Sequence, residues 1–110
     1  MESGGILARF VKKSVIADLR ALGQRTGQQV LEMAIERLSE DPISETRNLK
    51  TLRPNPIAQR ELQLAGKYRV LFNVDHRARE VTILLAAEKR GNALIVQGQR
   101  FTAHENRSVE

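Results

Sequence analysis

Two hydrophobic periods divide the chain. Between Val15 and Leu38 apolar residues recur at helical spacing, and between Ile57 and Val96 they recur mainly at every second position. Ahead of both, residues 6–11 (ILARFV) read as a short first strand. Residues 14–22 place Val15, Ile16, Leu19 and Leu22 on one helical face, with Ser14 as the expected N-cap and Gly23 as the stop. In TGQQ, residues 26–29, Thr26 and Gln29 have capping-box spacing. Behind them Val30, Leu31, Ala34, Ile35 and Leu38 form a stripe, with Glu32, Glu36 and Glu40 outward, and Asp41-Pro42 ends the helix. So short a link predicts a helical hairpin.

A loop with a basic middle, RNLKTLRPNP, fills out residues 42–56, where Pro54 and Pro56 oppose helix. Strands are expected at about 57–64, 67–75 and 79–88, with a short one at 93–97. Ala65-Gly66 and residues 76–78 are the turns, so neighbouring strands pair antiparallel. The expected fold is α+β: an N-terminal strand and a helical hairpin on a twisted antiparallel sheet of three to five strands, as one domain over 1–110. Its core spans about 6–98, and 99–110 reads as a polar tail.

Strand parity divides the sheet into two faces. Leu62, Leu64, Tyr68, Val70, Phe72, Val74, Val81, Ile83, Leu85 and Ala87 are expected against the helices. Glu61, Gln63, Lys67, Arg69, Leu71, Asn73, Thr82, Leu84 and Ala86 fall on the open face. Unbroken alternation carries Arg90 to the side of Arg69 and Lys89 to the other.

Composition narrows the chemistry. The chain is 41% hydrophobic with one Tyr, three Phe and no Trp, so its core is aliphatic. Without cysteine there is no disulfide, thiolate nucleophile or thiolate metal site, and no His/Asp/Glu cluster has metal-ligand spacing; neither metal nor cofactor is expected. No apolar run is long enough to span a membrane and no signal-peptide core is present, which leads us to expect a cytoplasmic protein. The net charge of +5 is uneven: residues 1–43 carry six Lys/Arg and six Asp/Glu, and residues 44–110 carry twelve and seven. A basic C-terminal part points to an anionic partner, either nucleic acid or an acidic protein segment.

Three stretches, SEDPISETRNLKTLRPNP, RELQLAGKYRVLFNVD and VTILLAAEKRGNALIVQG, resemble the RelE/ParE superfamily of bacterial type II toxins, over about residues 6–98. The resemblance implies a toxin neutralised by a cognate acidic antitoxin. It leaves three activities open: a ribosome-dependent mRNA endoribonuclease that blocks translation, a ParE-like inhibitor of DNA gyrase that is not an enzyme, and a degenerate member that only binds antitoxin. For RNA cleavage by a 2′-hydroxyl, the chemistry needs a base, cations for the phosphorane and an acid for the leaving oxygen. Arg69 matches the family arginine of the Tyr-Arg-Val strand, and Arg90 lies near its second basic position. Glu61 is the expected base, standing where active relatives tend to carry lysine. Lys50, Arg53, Arg60, Lys67 and Lys89 are the expected RNA-contacting cations. The tyrosine or histidine implied as general acid has no counterpart through Val96, and His104 is the late titratable residue. Tyr68 is expected in the core and His76 in a turn. Leu71 and Leu84, expected exposed on the basic face, would receive the antitoxin.

Overall fold

The computed structural model describes residues 8–101. Its elements run β1 (Ala8–Val11), α1 (Lys13–Ala21), α2 (Gln24–Glu40), β2 (Leu49–Thr51), β3 (Arg60–Leu64), β4 (Tyr68–Asp75), β5 (Glu80–Arg90), β6 (Ala93–Val96) and β7 (Gln99–Phe101). Strand order is β2-β3-β4-β5-β6-β7, all antiparallel, and β1 joins β5 in parallel. The α+β expectation holds: two helices lie against a largely antiparallel sheet.

The helices start earlier than their side chains advertise. Lys12 and Gly23 are the N-caps, and neither makes a side-chain capping bond. Ser14 and Thr26 therefore sit inside their helices and do not cap them. What fixes the hairpin is Gly27, buried where α2 crosses α1; a Cβ there would collide with the Leu19 carbonyl. Val15, Val30, Ala34 and Leu38 are buried against Leu62, Val70, Phe72, Val74, Val81 and Ile83 in the main core. Ile16, expected inward, is instead largely exposed. Asp41 does end α2, and its Oδ1 accepts from the Ile43 and Ser44 amides at 2.9 and 3.0 Å.

Two strands were not legible in the sequence. β2 lies within the expected loop and pairs with β3, and β7 occupies the start of the expected tail and pairs with β6. Both are three residues long, too short for a periodic signal. The Ala65-Gly66 turn is as expected, with φ of 50° and 76°, inside a three-residue loop that Lys67 completes between Leu64 and Tyr68.

The decisive departure is in β5. Leu71 pairs with Leu85 but Phe72 pairs with Ile83, so Leu84 is an extra residue, a β-bulge. Beyond it every side chain changes face. Ala86 joins the main core, while Leu85 and Ala87 join Ala58 and Leu71 in a second apolar cluster on the far side of the sheet. Leu52 and Ile57 of the loop, and Leu94, Val96 and Phe101 of the last hairpin, pack on that cluster. The face expected to be open is thus partly roofed. Leu71 is buried and Leu84 half-buried, so neither is the exposed anchor expected of it.

The outer edge of β5 carries β1 at Glu80–Ile83 and β6 at Glu88–Arg90, with a gap between. Asp18, 4% exposed, fills it: its Oδ2 accepts from the Ala86 amide at 3.1 Å, and its Oδ1 accepts from Gln97 Nε2 at 2.7 Å. One carboxylate thereby satisfies a buried strand amide and ties the β6–β7 turn to α1.

Candidate nucleic-acid interface

Arg69 lies in the middle of β4, between Gln63 of β3 and Ala87 of β5. Directly paired residues share a face, so Arg69 is on the side of Leu71, Leu85 and Ala87, away from the helices. It is only 7% exposed. Its Nη1 donates to the carbonyls of Gly66 and Tyr68 at 3.2 and 3.1 Å. Among the described residues no carboxylate pairs with it. No buried side-chain nitrogen there lacks a partner, so the guanidinium nitrogens without protein bonds retain solvent access. A guanidinium with no carboxylate partner among the described residues and half of its fork unused has the chemistry to hold an anion.

Glu61 and Lys89 are its diagonal neighbours. Glu61 pairs with Leu71, two residues from Arg69, and Lys89 lies two residues beyond Ala87. In antiparallel sheets such diagonals are roughly 7–8 Å apart. The two therefore flank Arg69 on one face. Lys50, opposite Glu61 on β2, extends the row, with Nζ 3.7 Å from Glu61 Oε1. The Glu61 side chain keeps 14% of its surface exposed. Leu71, Leu85 and Ala87 form the dry floor.

Other expected residues stand elsewhere. The bulge reverses the assignment made by unbroken parity: Lys89 shares the face of Arg69 and Arg90 does not. Arg90 is paired to Glu88 at 3.2 Å on the helical side. Lys67 is at the β3–β4 turn, 3.9 Å from Glu88 and 5.5 Å from the Tyr68 ring centroid. Arg60 pairs with Phe72, a helix-facing residue, and its Nη1 donates to the Ile43 carbonyl at 2.9 Å. Arg53 is exposed in the loop after β2. Tyr68 packs on the main core and His76 is in the β4–β5 turn, as expected. His104 lies outside the described residues. Among the described residues no three His, Asp or Glu side chains are grouped to hold a metal, and no helix is long and apolar enough to cross a membrane.

The loop before β2 is braced by two carboxylates. Hydrogen bonds from Ser44 and Ile43, helped by the Arg37 charge, lower the Asp41 pKa to about 2. Glu45 is lowered by its bonds to Thr51, whose amide reaches Glu45 Oε2 at 3.0 Å, and by Arg60. The Glu45–Thr51 bond ties this loop to the end of β2, which carries Lys50 beside β3.

No protein-family model matches the chain, and a search of curated proteins returns no match. Among solved structures, the chain is similar to one from the RelBE2 toxin-antitoxin complex of Mycobacterium tuberculosis. The TM-score is 0.64 and the identity 27%, over 77% of this chain and 92% of that one. This likeness of fold agrees with the resemblance of the sequence motifs and supports a RelE-type toxin.

Proposed function

We propose that this protein is the toxin of a toxin–antitoxin pair and that it cleaves messenger RNA on the ribosome. One observation carries the reading: Arg69 is a nearly buried guanidinium with no carboxylate partner among the described residues, on a sheet face that also presents Glu61 and Lys89. Phosphate is an anion its planar fork can hold by two oxygens at once. Glu61 accepts the proton of the attacking 2′-hydroxyl. Its oxygen then bonds to phosphorus, and Arg69 stabilises the charge that develops on the non-bridging oxygens. Lys89 donates a proton to the departing 5′-oxygen, leaving a 2′,3′-cyclic phosphate and a free 5′-hydroxyl. Lys50 orients Glu61 and draws the RNA backbone to the row.

A second reading, a gyrase inhibitor without catalysis, is favoured by a different observation: among the described residues neither Tyr nor His stands on the Arg69 face. Reconstitution separates the two. Purified protein added to ribosomes carrying messenger RNA is expected to yield fragments with cyclic phosphate ends, while supercoiling by gyrase continues. Intact messenger RNA together with lost supercoiling would establish the second reading instead. The antitoxin is expected as a small acidic protein encoded beside this gene, and co-expression with it is expected to restore growth.

A further inference from the structure

Residues 51–59 line an open hollow of about 440 Å³ against Asn73 of β4. That volume is in the range of small-ligand sites. The loop around it is stiff. Asn55 Nδ2 donates to the Arg53 and Ala58 carbonyls at 2.7 and 3.0 Å, and its Oδ1 accepts from the Ile57 and Ala58 amides at 2.8 and 3.1 Å. Pro54 and Pro56 fix two further φ angles. Gln59 closes the loop: its carbonyl accepts from the Leu52 amide at 2.9 Å, its amide donates to Asn73 Oδ1 at 2.7 Å, and its Oε1 accepts from the Val74 amide at 2.9 Å. A loop braced this way, yet not filled by its own side chains, is organised before any ligand arrives.

The lining selects the ligand. Its one charged residue is Arg53, exposed and without an ion pair among the described residues, and no carboxylate lines the hollow. Cations are disfavoured and an anion is favoured. Leu52, Pro54, Pro56 and Ile57 add flat apolar surface, which suits an unstacked base. Asn73 lies on the same face of β4 as Arg69, four residues along, which is about 13 Å at strand rise. A single strand held at Arg69 would reach the hollow over Leu52 and Ile57, which pack on the cluster that contains the buried Leu71.

We propose that this hollow is a ribonucleotide subsite, in which Arg53 holds a phosphate and the apolar wall a base of the strand whose cleaved phosphate Arg69 holds. The inference rests on the RNA-cleaving reading and adds a second contact to it. The test is binding, not cleavage: titrate the ¹⁵N-labelled protein with each ribonucleoside 5′-monophosphate and, separately, with a hexaglutamate peptide. Saturable shifts are expected at the Leu52, Arg53, Ile57 and Gln59 amides and at the Asn73 side chain. Arg53→Glu is expected to weaken them at least tenfold, Ile57→Trp to block them by filling the space, and Arg69→Ala to leave them in place. Shifts confined to the surroundings of Arg69 and Lys89, no shifts at all, or loop shifts with hexaglutamate alone would each overturn the subsite. Nucleotide shifts at the loop beside intact messenger RNA in the ribosome assay would uphold the subsite and remove the nuclease reading.

Discussion

Arg69 and Asp41 show what single side chains do here when burial and hydrogen bonding differ. Arg69 is held by two carbonyls, which orient it without neutralising it. Arg69→Ala is expected to lower cleavage by about a hundredfold or more, the usual effect of losing one donor to a developing oxyanion. Arg69→Lys keeps the charge but loses the fork, so it is expected to recover little of that activity. Asp41 acts on stability instead. Its folded pKa, about 2, lies below its ordinary value of 3.8. Its contribution is therefore complete above the unfolded pKa and is lost as pH falls through the folded one. Urea denaturation at a series of pH values between 5 and 2 is expected to show a steeper loss in the parent than in Asp41→Asn. Equal slopes would mean that the Ser44 and Ile43 bonds do not favour the ionised carboxylate.

At the scale of elements, the bulge at Leu84 determines which cation faces the candidate site. In the run from Ile83 to Ala87 every residue is apolar, so alternation gives no sign of a one-residue slip. That is why the helices, the central strands and the exposure of one face to Arg69 could be read from sequence, while the places of Lys89, Arg90, Leu85 and Ala87 could not. The pairing makes a prediction that unbroken alternation reverses. Lys89→Ala is expected to cut cleavage at least tenfold and Arg90→Ala to leave it within about twofold; general acid catalysis by a positioned side chain contributes about 10²–10⁴-fold. The helical hairpin makes another. Gly27→Ala sets a methyl against the Leu19 carbonyl, and chemical denaturation is expected to show a loss of about 1–3 kcal/mol from overpacking. No capping motif in the sequence announces this contact, because the close approach is between backbones and leaves only a glycine as its trace.

At the scale of the whole molecule the sheet has two working sides. One is closed by the helices over Phe72 and its neighbours, and the other carries Lys50, Glu61, Arg69 and Lys89 above a smaller apolar floor. Asp18 links them, reaching from α1 to the Ala86 amide and to Gln97 in the hairpin that roofs the second side. Asp18→Ala leaves a buried amide unpaired, and denaturation is expected to report a loss of about 1–3 kcal/mol. The same linkage gives the basic C-terminal part its shape: cations from three strands, and Glu61 from a fourth, meet a common surface only because β2 and β5 are held in register against their neighbours. In the proposed reaction this surface holds the phosphate being cut. Its most direct test is single-turnover cleavage of ribosome-bound messenger RNA by the parent, Arg69→Lys and Arg90→Ala, with product ends identified by mass spectrometry. Phosphate contact at this surface is expected to give 2′,3′-cyclic phosphate ends from the parent and Arg90→Ala at similar rates, and a rate at least tenfold lower from folded Arg69→Lys. Equal rates for the parent and Arg69→Lys, or no cleavage by the parent, would contradict it.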